Sequence, residues 1–364
     1  MKITKVRTTL LSLPTDEPLA NFPENPDGKR LVVVCEIETD ERITGIGMTM
    51  LANALMPTVR VAVDQLGAAT IGQDPLRIGA ITKKLWDLGG NCGPGGVFMM
   101  ALSAIDIALW DIKGKALNQP LWKLLGGTRY RVPTYASGAL MRGLTLDQSA
   151  ASARVLVEKG FREVKMQLAL PGDTSPDREV ERARVIRENL GPDIALMCDI
   201  NQRWRVEQAI QIGRRLEEFG FAWLEDVTAH DDYPGLARVA DALDIPVCGG
   251  EYVYGLVPFR HMLEARSVDI VMIDPFRVGG ITSWMKVAGM AEAFNLPVVS
   301  HLVPEVLMHL VAAAANGLMV EYMPWLHRLY EEVTWPKDGA LTLPSLPGLG
   351  LRFDQAAFKQ YAVG

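Results

Sequence analysis

Over residues 1–60 apolar and polar side chains alternate with the period of two that a pleated strand imposes. Ile3–Leu13, Leu31–Glu38 (LVVVCEIE) and Thr44–Met50 read as three strands. Between the first two, Pro14–Gly28 is rich in Pro, Asn, Asp and Gly and reads as a mobile loop, too long for a turn. From Met56 to Lys123 the period lengthens to that of a helix, with Ala101, Ile105, Ala108, Leu109 and Ile112 on one side. Strands followed by helices predict an α+β domain over residues 1–125.

After Gly126-Gly127 the pattern changes. Short apolar runs alternate with amphipathic stretches: VPTYA, REVKMQL, IALMCDI, FAWLED, IPVCGGE, VDIVMID, LPVVSH and LMVEY. Segments such as Asp177–Asn189, Val206–Phe219, Gly280–Phe294 and Pro304–Ala315 have helical spacing and lie between these runs. Strands separated by helices are parallel strands joined by right-handed crossovers. Eight such runs predict a TIM-like (β/α) barrel over residues 126–339. The competing architecture, an open doubly wound sheet, would want GxGxxG after its first strand, and none is there.

A barrel of this kind does its chemistry at the C-terminal ends of its strands. The last residues of the candidate strands are Tyr135, Lys165 with Gln167, Asp199, Glu225, Glu251, Asp274, His301 and Glu321. From Lys165 onward the steps are 34, 26, 26, 23, 27 and 20 residues, each about one βα unit. One acidic residue at a strand end can be a helix cap. A run of ionisable groups in successive register predicts a shared mouth. Asp199, Glu225 and Glu251 bring three carboxylates together without histidine or cysteine, a donor set that suits Mg²⁺ better than zinc. His301 follows Asp274 by one strand, and an aspartate on one ring nitrogen fixes the tautomer and aims the other nitrogen at substrate.

Composition narrows the class. The 364 residues carry 37 Lys+Arg against 43 Asp+Glu, for a net charge of −6, without a block of like charge. Neither a nucleic-acid-binding tail nor a basic membrane face is predicted. No run approaches the ~20 apolar residues of a membrane span. Met1-Lys2-Ile3-Thr4 lacks a signal-peptide pattern. Cys35, Cys92, Cys198 and Cys248 are far apart and read as reduced thiols of a cytoplasmic protein.

The run ALWDIKGKALNQPLWKLLGG (108–127), followed in order by VKMQ, MCDINQ, WLEDV, GGE, IDPFRVGGI, SHLVPE and VEY, resembles the mandelate racemase subgroup of the enolase superfamily. Within it the chain is most similar to the acid-sugar dehydratases of the galactarate and talarate type. The resemblance implies Mg²⁺ on Asp199, Glu225 and Glu251, and His301 with Asp274 as acid/base dyad. It implies Glu321 against the substrate carboxylate, Lys165 as the first lysine of a Lys-x-Lys pair, and Asn201 beside the metal. It also implies that residues 1–125, completed by the tail 340–364, cap the barrel with loops around Asn21–Asp27 and Gly89–Gly96. Asn21 and Tyr135 are candidate substrate contacts. An even-numbered homo-oligomer is expected by the same resemblance.

The sequence departs from the family at one point: the second lysine of the pair is Gln167. A carboxamide cannot accept and return a proton at neutral pH, so Gln167 is expected to hydrogen-bond substrate. Racemisation normally needs a base on each face; elimination of water needs only one. The expected activity is therefore that of a carbon–oxygen lyase, a dehydratase converting an acid sugar to a 2-keto-3-deoxy acid. Its rivals are an epimerase or cycloisomerase of the same subgroup, and a non-catalytic sugar-acid-binding relative. Glu321 is expected to assist only if protonated, which a crowded, negatively charged site favours.

Overall fold

The computed structural model describes residues 1–20, 22–172 and 175–363, with the backbone alone for 22–27. Strands β1 (Ile3–Glu17) and β2 (Phe22–Thr39) form a long antiparallel hairpin, and β3 (Thr44–Met50) adds to β2. The hairpin corrects one expectation. Most of Pro14–Gly28 is not a loop, because Pro14 pairs with Lys29, Asp16 with Pro23 and Glu17 with Phe22. Register shifts on either side of Thr15 accommodate this, since a bulge is where a strand tolerates a proline. At the other edge, Leu10 and Leu11 of β1 pair with Val363 and Ala362 near the C-terminus.

Helices α1 (Met56–Ala68), α2 (Ile78–Gly89) and α3 (Gly96–Ala116) pack on this sheet. Most of α3 is buried, on every side, as a helix between two layers must be. It touches the sheet at Gly45 and Gly47, where a side chain would collide with the carbonyls of Ala108 and Ala104. Such a helix cannot leave its polar groups unpaired. Asp111 accepts from Ile46 N at 2.8 Å, Leu349 N at 2.8 Å and Lys115 Nζ at 2.6 Å. Asp106 accepts from Thr282 N at 2.9 Å and Oγ1 at 2.6 Å, tying the helix to the barrel.

A short helix, α4 (Leu121–Leu124), leads into the barrel. Its parallel strands are β4 (Arg131–Leu140), β5 (Glu163–Gln167), β6 (Ala195–Asp199), β7 (Phe221–Glu225), β8 (Val247–Gly249), β9 (Ile270–Ile273), β10 (Val298–Ser300) and β11 (Val320–Tyr322). The pairing order is β10-β9-β8-β7-β6-β5-β4-β11. Bonds from Leu318 N to Val298 O (2.8 Å) and from Val298 N to Asn316 O (2.9 Å) bring the two ends together, so the barrel is nearly closed. The crossovers carry α5 (Leu146–Glu158), α6 (Pro176–Leu190), α7 (Val206–Leu216), α8 (Tyr233–Ala242), α9 (Val257–Glu264), α10 (Pro275–Val278), α11 (Ile281–Ala293) and α12 (Pro304–Ala313). Within the tail, β12 (Ala340–Thr342) pairs with the start of β4 on the barrel, and Ala362 and Val363 pair with β1 of the antiparallel sheet. No helix among the described residues is long and apolar enough to cross a membrane.

Tyr135, Met197, Trp223, Cys248, Met272 and Val299 form one buried cluster, contributed by strands around the barrel. Alternation along a strand returns the side chain to the same face two residues later. Two residues beyond Met197, Trp223, Met272 and Val299 stand Asp199, Glu225, Asp274 and His301. The apolar layer is thus the floor of the polar one.

Candidate active site

Asp199, Glu225 and Asp226 bring carboxylate oxygens within 4.8 Å of one another, and all three are buried. Burial and mutual repulsion disfavour their ionised forms. Burial, opposed by Lys165 and Arg142 and reinforced by Glu251, pushes Asp199 up to about 6. Burial likewise pushes Glu225 up to about 8, despite Lys165 beside it. One oxygen of Asp226, Oδ2, has no hydrogen-bond partner among the described residues. Crowded buried carboxylates with an orphaned oxygen fit a hard divalent cation, and oxygen-only donors select Mg²⁺. Glu251, expected with Asp199 and Glu225, interacts electrostatically with both. Its Oε2 is 3.1 Å from His301 Nε2 and its Oε1 3.9 Å from Arg277. Asp226 escaped sequence reading because it follows the strand-end glutamate directly and alternation puts it on the other face. A left-handed backbone at Asp226 (φ 45°) breaks that alternation.

Lys165 is rooted one layer lower, opposite Met197, and its stem carries the ammonium upward. Nζ lies 2.6 Å from Glu225 Oε1 and 2.8 Å from Glu321 Oε1. Burial works against the ammonium, but these two carboxylates more than offset it and hold Lys165 charged. At Glu321 the neighbouring positive charges act against the expected protonation of the carboxyl group. Burial alone would raise it, yet Lys165, His301 and the Leu302 N–H, 2.7 Å from Oε2, bring it down to about 2. Tyr135, a candidate substrate contact, stands lower. It belongs to the floor, fully buried against Trp223, with its hydroxyl 3.4 Å from the Ser300 carbonyl and its ring centroid 5.5 Å from Lys165 Nζ. It supports the lysine from below.

His301 Nδ1 is 2.7 Å from Asp274 Oδ2. The other oxygen of Asp274 caps α10, accepting from Phe276 N (2.9 Å) and Arg277 N (2.7 Å), so the aspartate cannot swing away. Burial favours a neutral imidazole, but Glu251, Asp274 and Glu321 override it and raise His301 to about 9. The two following residues, Leu302 (φ 56°) and Val303 (φ 34°), are both left-handed. A β-branched residue rarely adopts that conformation, and each such residue costs about 1–3 kcal/mol. The strain sits beside the imidazole it positions.

Across the mouth, Gln167 Nε2 is 3.3 Å from both Asp199 Oδ2 and Asn201 Oδ1. Asn201 N donates to Asp199 Oδ1 at 2.7 Å. Arg142 donates to Asn201 Oδ1 and, at 3.4 Å, to the Asp199 carbonyl. Arg142 is not visible in the pattern of strand ends, because the first apolar run stops at Ala136 whereas the strand runs on to Leu140. At Gly138 (φ 91°) any side chain would collide with Glu17 Oε2, so this strand end receives the hairpin tip. Pro94 and Gly95, in the other expected capping loop, lie against Gly255 and Tyr254 beyond β8. Asn21 lies outside the described residues.

A nearly closed parallel barrel under an antiparallel cap, with ionisable groups at successive strand ends, defines an enzyme class that works at a barrel mouth. Residues 148–357 match the family model "Enolase C-terminal domain-like", and residues 20–126 match "Mandelate racemase / muconate lactonizing enzyme, N-terminal domain". The chain belongs to this mandelate racemase/muconate lactonizing enzyme family of the enolase superfamily. It is 34% identical to 3,6-anhydro-alpha-L-galactonate cycloisomerase of Streptomyces coelicolor, over 100% of both chains. It is 30% identical to L-talarate/galactarate dehydratase of Salmonella typhimurium, over 98% of this chain and 90% of the other. The crystal structure of L-talarate dehydratase from Polaromonas sp. JS666, complexed with Mg and L-glucarate, superposes with a TM-score of 0.91 at 30% identity, covering 100% of this chain and 98% of that one.

Proposed function

We propose that the protein is a Mg²⁺-dependent acid-sugar dehydratase. One observation carries the reading: His301 is held by Asp274 as a base, while the β5 position that would carry a second base is an amide, Gln167. Asp199, Glu225 and Glu251 would hold the metal, with Asp226 beside them. The cation supplies positive charge to a substrate carboxylate, which acidifies the neighbouring C–H. Glu251 engaged in this way would release His301 Nε2 from their 3.1 Å contact. His301, oriented by Asp274, takes the α-proton at Nε2 and returns it to the departing β-hydroxyl, so proton and hydroxyl leave from one face. Lys165 meets the negative charge that develops on the substrate. Glu321, ionised, keeps that ammonium charged and aimed.

A second reading has support from the identity to a cycloisomerase along the whole chain. In it the departing β-oxygen is an ether oxygen of the substrate and stays in the product, so the same residues serve. Incubating the Mg²⁺-loaded protein with a library of aldonates, aldarates and their anhydro derivatives tests both. Formation of 2-keto acid with loss of water is expected; 2-keto acid of unchanged mass would select the cycloisomerase. Absence of any turnover would remove both.

A further inference from the structure

The environment of Gln167 decides which end of its amide a substrate meets. The Gln167 amide atom 3.3 Å from Asp199 Oδ2 is also 3.3 Å from Asn201 Oδ1, an oxygen, and so must be the nitrogen. The second proton of that nitrogen goes to Asn201 Oδ1, also at 3.3 Å. That this Asn201 atom is oxygen follows in turn from Arg142, whose guanidinium has donors and no acceptor and points at the same atom. The Asn201 nitrogen then faces the Tyr252 hydroxyl at 3.4 Å. One guanidinium thereby sets the polarity of two carboxamides in series.

The arrangement is built rather than incidental. Arg142 is 8% exposed, and its Nε is buried with no partner among the described residues, a desolvation cost accepted to place the other nitrogens. Asn201 adopts the left-handed conformation (φ 48°) that asparagine tolerates, which brings its N–H onto Asp199. Both Gln167 amide protons being taken, its Oε1 remains without a partner among the described residues, on a side chain that is only partly buried.

We propose that Arg142 is a positioning residue that, through Asn201, holds Gln167 with its Oε1 toward the mouth, so that this flank takes a substrate hydroxyl and rejects a carboxylate. The proposal rests on the acid-sugar reading and deepens it. A hydroxyl donates to a carbonyl oxygen, whereas a carboxylate would set acceptor against acceptor and leave both unpaired.

The test has two arms, both on Mg²⁺-loaded protein. In the first, the side-chain ¹⁵NH₂ signal of Gln167, assigned by its absence in Gln167→Leu, is followed for exchange with water. Arg142→Ala should accelerate exchange about tenfold, the equivalent of one lost hydrogen bond, and Arg142→Lys should restore part of the protection. An unchanged rate in Arg142→Ala overturns the positioning role, and needs no substrate. In the second, galactonate and its monodeoxy analogues are titrated by calorimetry. One analogue should bind wild type about tenfold more weakly than galactonate, and this difference should vanish in Gln167→Leu and Arg142→Ala. A difference that survives in Gln167→Leu overturns the acceptor role. Failure of the acid-sugar reading would look different: none of these acids would bind, while Gln167 exchange would still respond to Arg142.

Discussion

His301 and Glu321 at the mouth of the barrel, and His309 and Glu305 in the layer outside it on α12, are two buried pairs that end in opposite states. At the mouth, His301 is raised to about 9 and Glu321 lowered to about 2. On α12, His309 is lowered to about 4 and Glu305 raised to about 7. Burial opposes charge on all four. His309 has only a peptide partner on each ring nitrogen, the Trp122 N–H and the Leu349 carbonyl. Neither carboxylate oxygen of Glu305 has a partner among the described residues, though it lines a cavity of about 240 Å³ with Tyr322 and Thr334. Around His301 and Glu321, opposite charges within hydrogen-bond reach overrule desolvation, as Lys165 does not at Glu225, which carboxylates crowd. Depth alone does not decide charge; the balance of partners around each group does.

The strongest break with this contrast would come from the imidazole. His301→Asn should lower kcat by about 10³-fold or more and stop exchange of the substrate α-proton with deuterated water. Persisting exchange, followed by NMR of recovered substrate, would reveal a second base. Lys165→Ala should lower kcat by about 10²–10³-fold, more than it raises KM, because its charge matters most as the substrate becomes negative. Steady-state kinetics that showed only a raised KM would remove that role.

Stability should separate the two regions in sign. Glu321→Gln takes a partner from a buried ammonium and should cost about 3 kcal/mol in urea unfolding. Glu305→Gln takes an unpaired charge out of the interior and should stabilise by about 1–3 kcal/mol above pH 7. Changes of the same sign would collapse the comparison. The smallest effect is a slope. Between its ordinary 4.5 and about 7, Glu305 binds more protons folded than unfolded, so its contribution to stability falls as pH rises. His309, about 4 when folded against an ordinary 6.5, does the opposite, and its contribution rises with pH. The two offset each other where their windows overlap. Unfolding curves should therefore be nearly flat for this pair in wild type, and in Glu305→Gln stability should climb from pH 4.5 to 6.5.

The barrel strands and their polar ends were legible because a period of two, repeated about once per βα unit, leaves the same mark eight times along the chain. Asp199, Glu225, Asp274 and His301 stand where that counting puts them. Two kinds of residue escaped it. Arg142 and Asp226 sit just past strand ends, where a longer strand or a left-handed residue changes which way a side chain faces, and neither event shows in hydropathy. The hairpin over Pro14–Gly28 escaped because prolines and polar residues look alike in a bulged strand and in a loop.

Side-chain type and spacing were thus enough for the architecture and the divalent-cation chemistry, because those follow from which groups the backbone period delivers to one end of the barrel. Charge states and orientations were decided only by the fold. Whether Glu321 is ionised, which end of the Gln167 amide faces the mouth, and whether Tyr135 lies in the site or under it depend on groups contributed by other strands. Electrostatic and hydrogen-bonding energies vary over ångströms, and a one-dimensional sequence does not carry distances between strands.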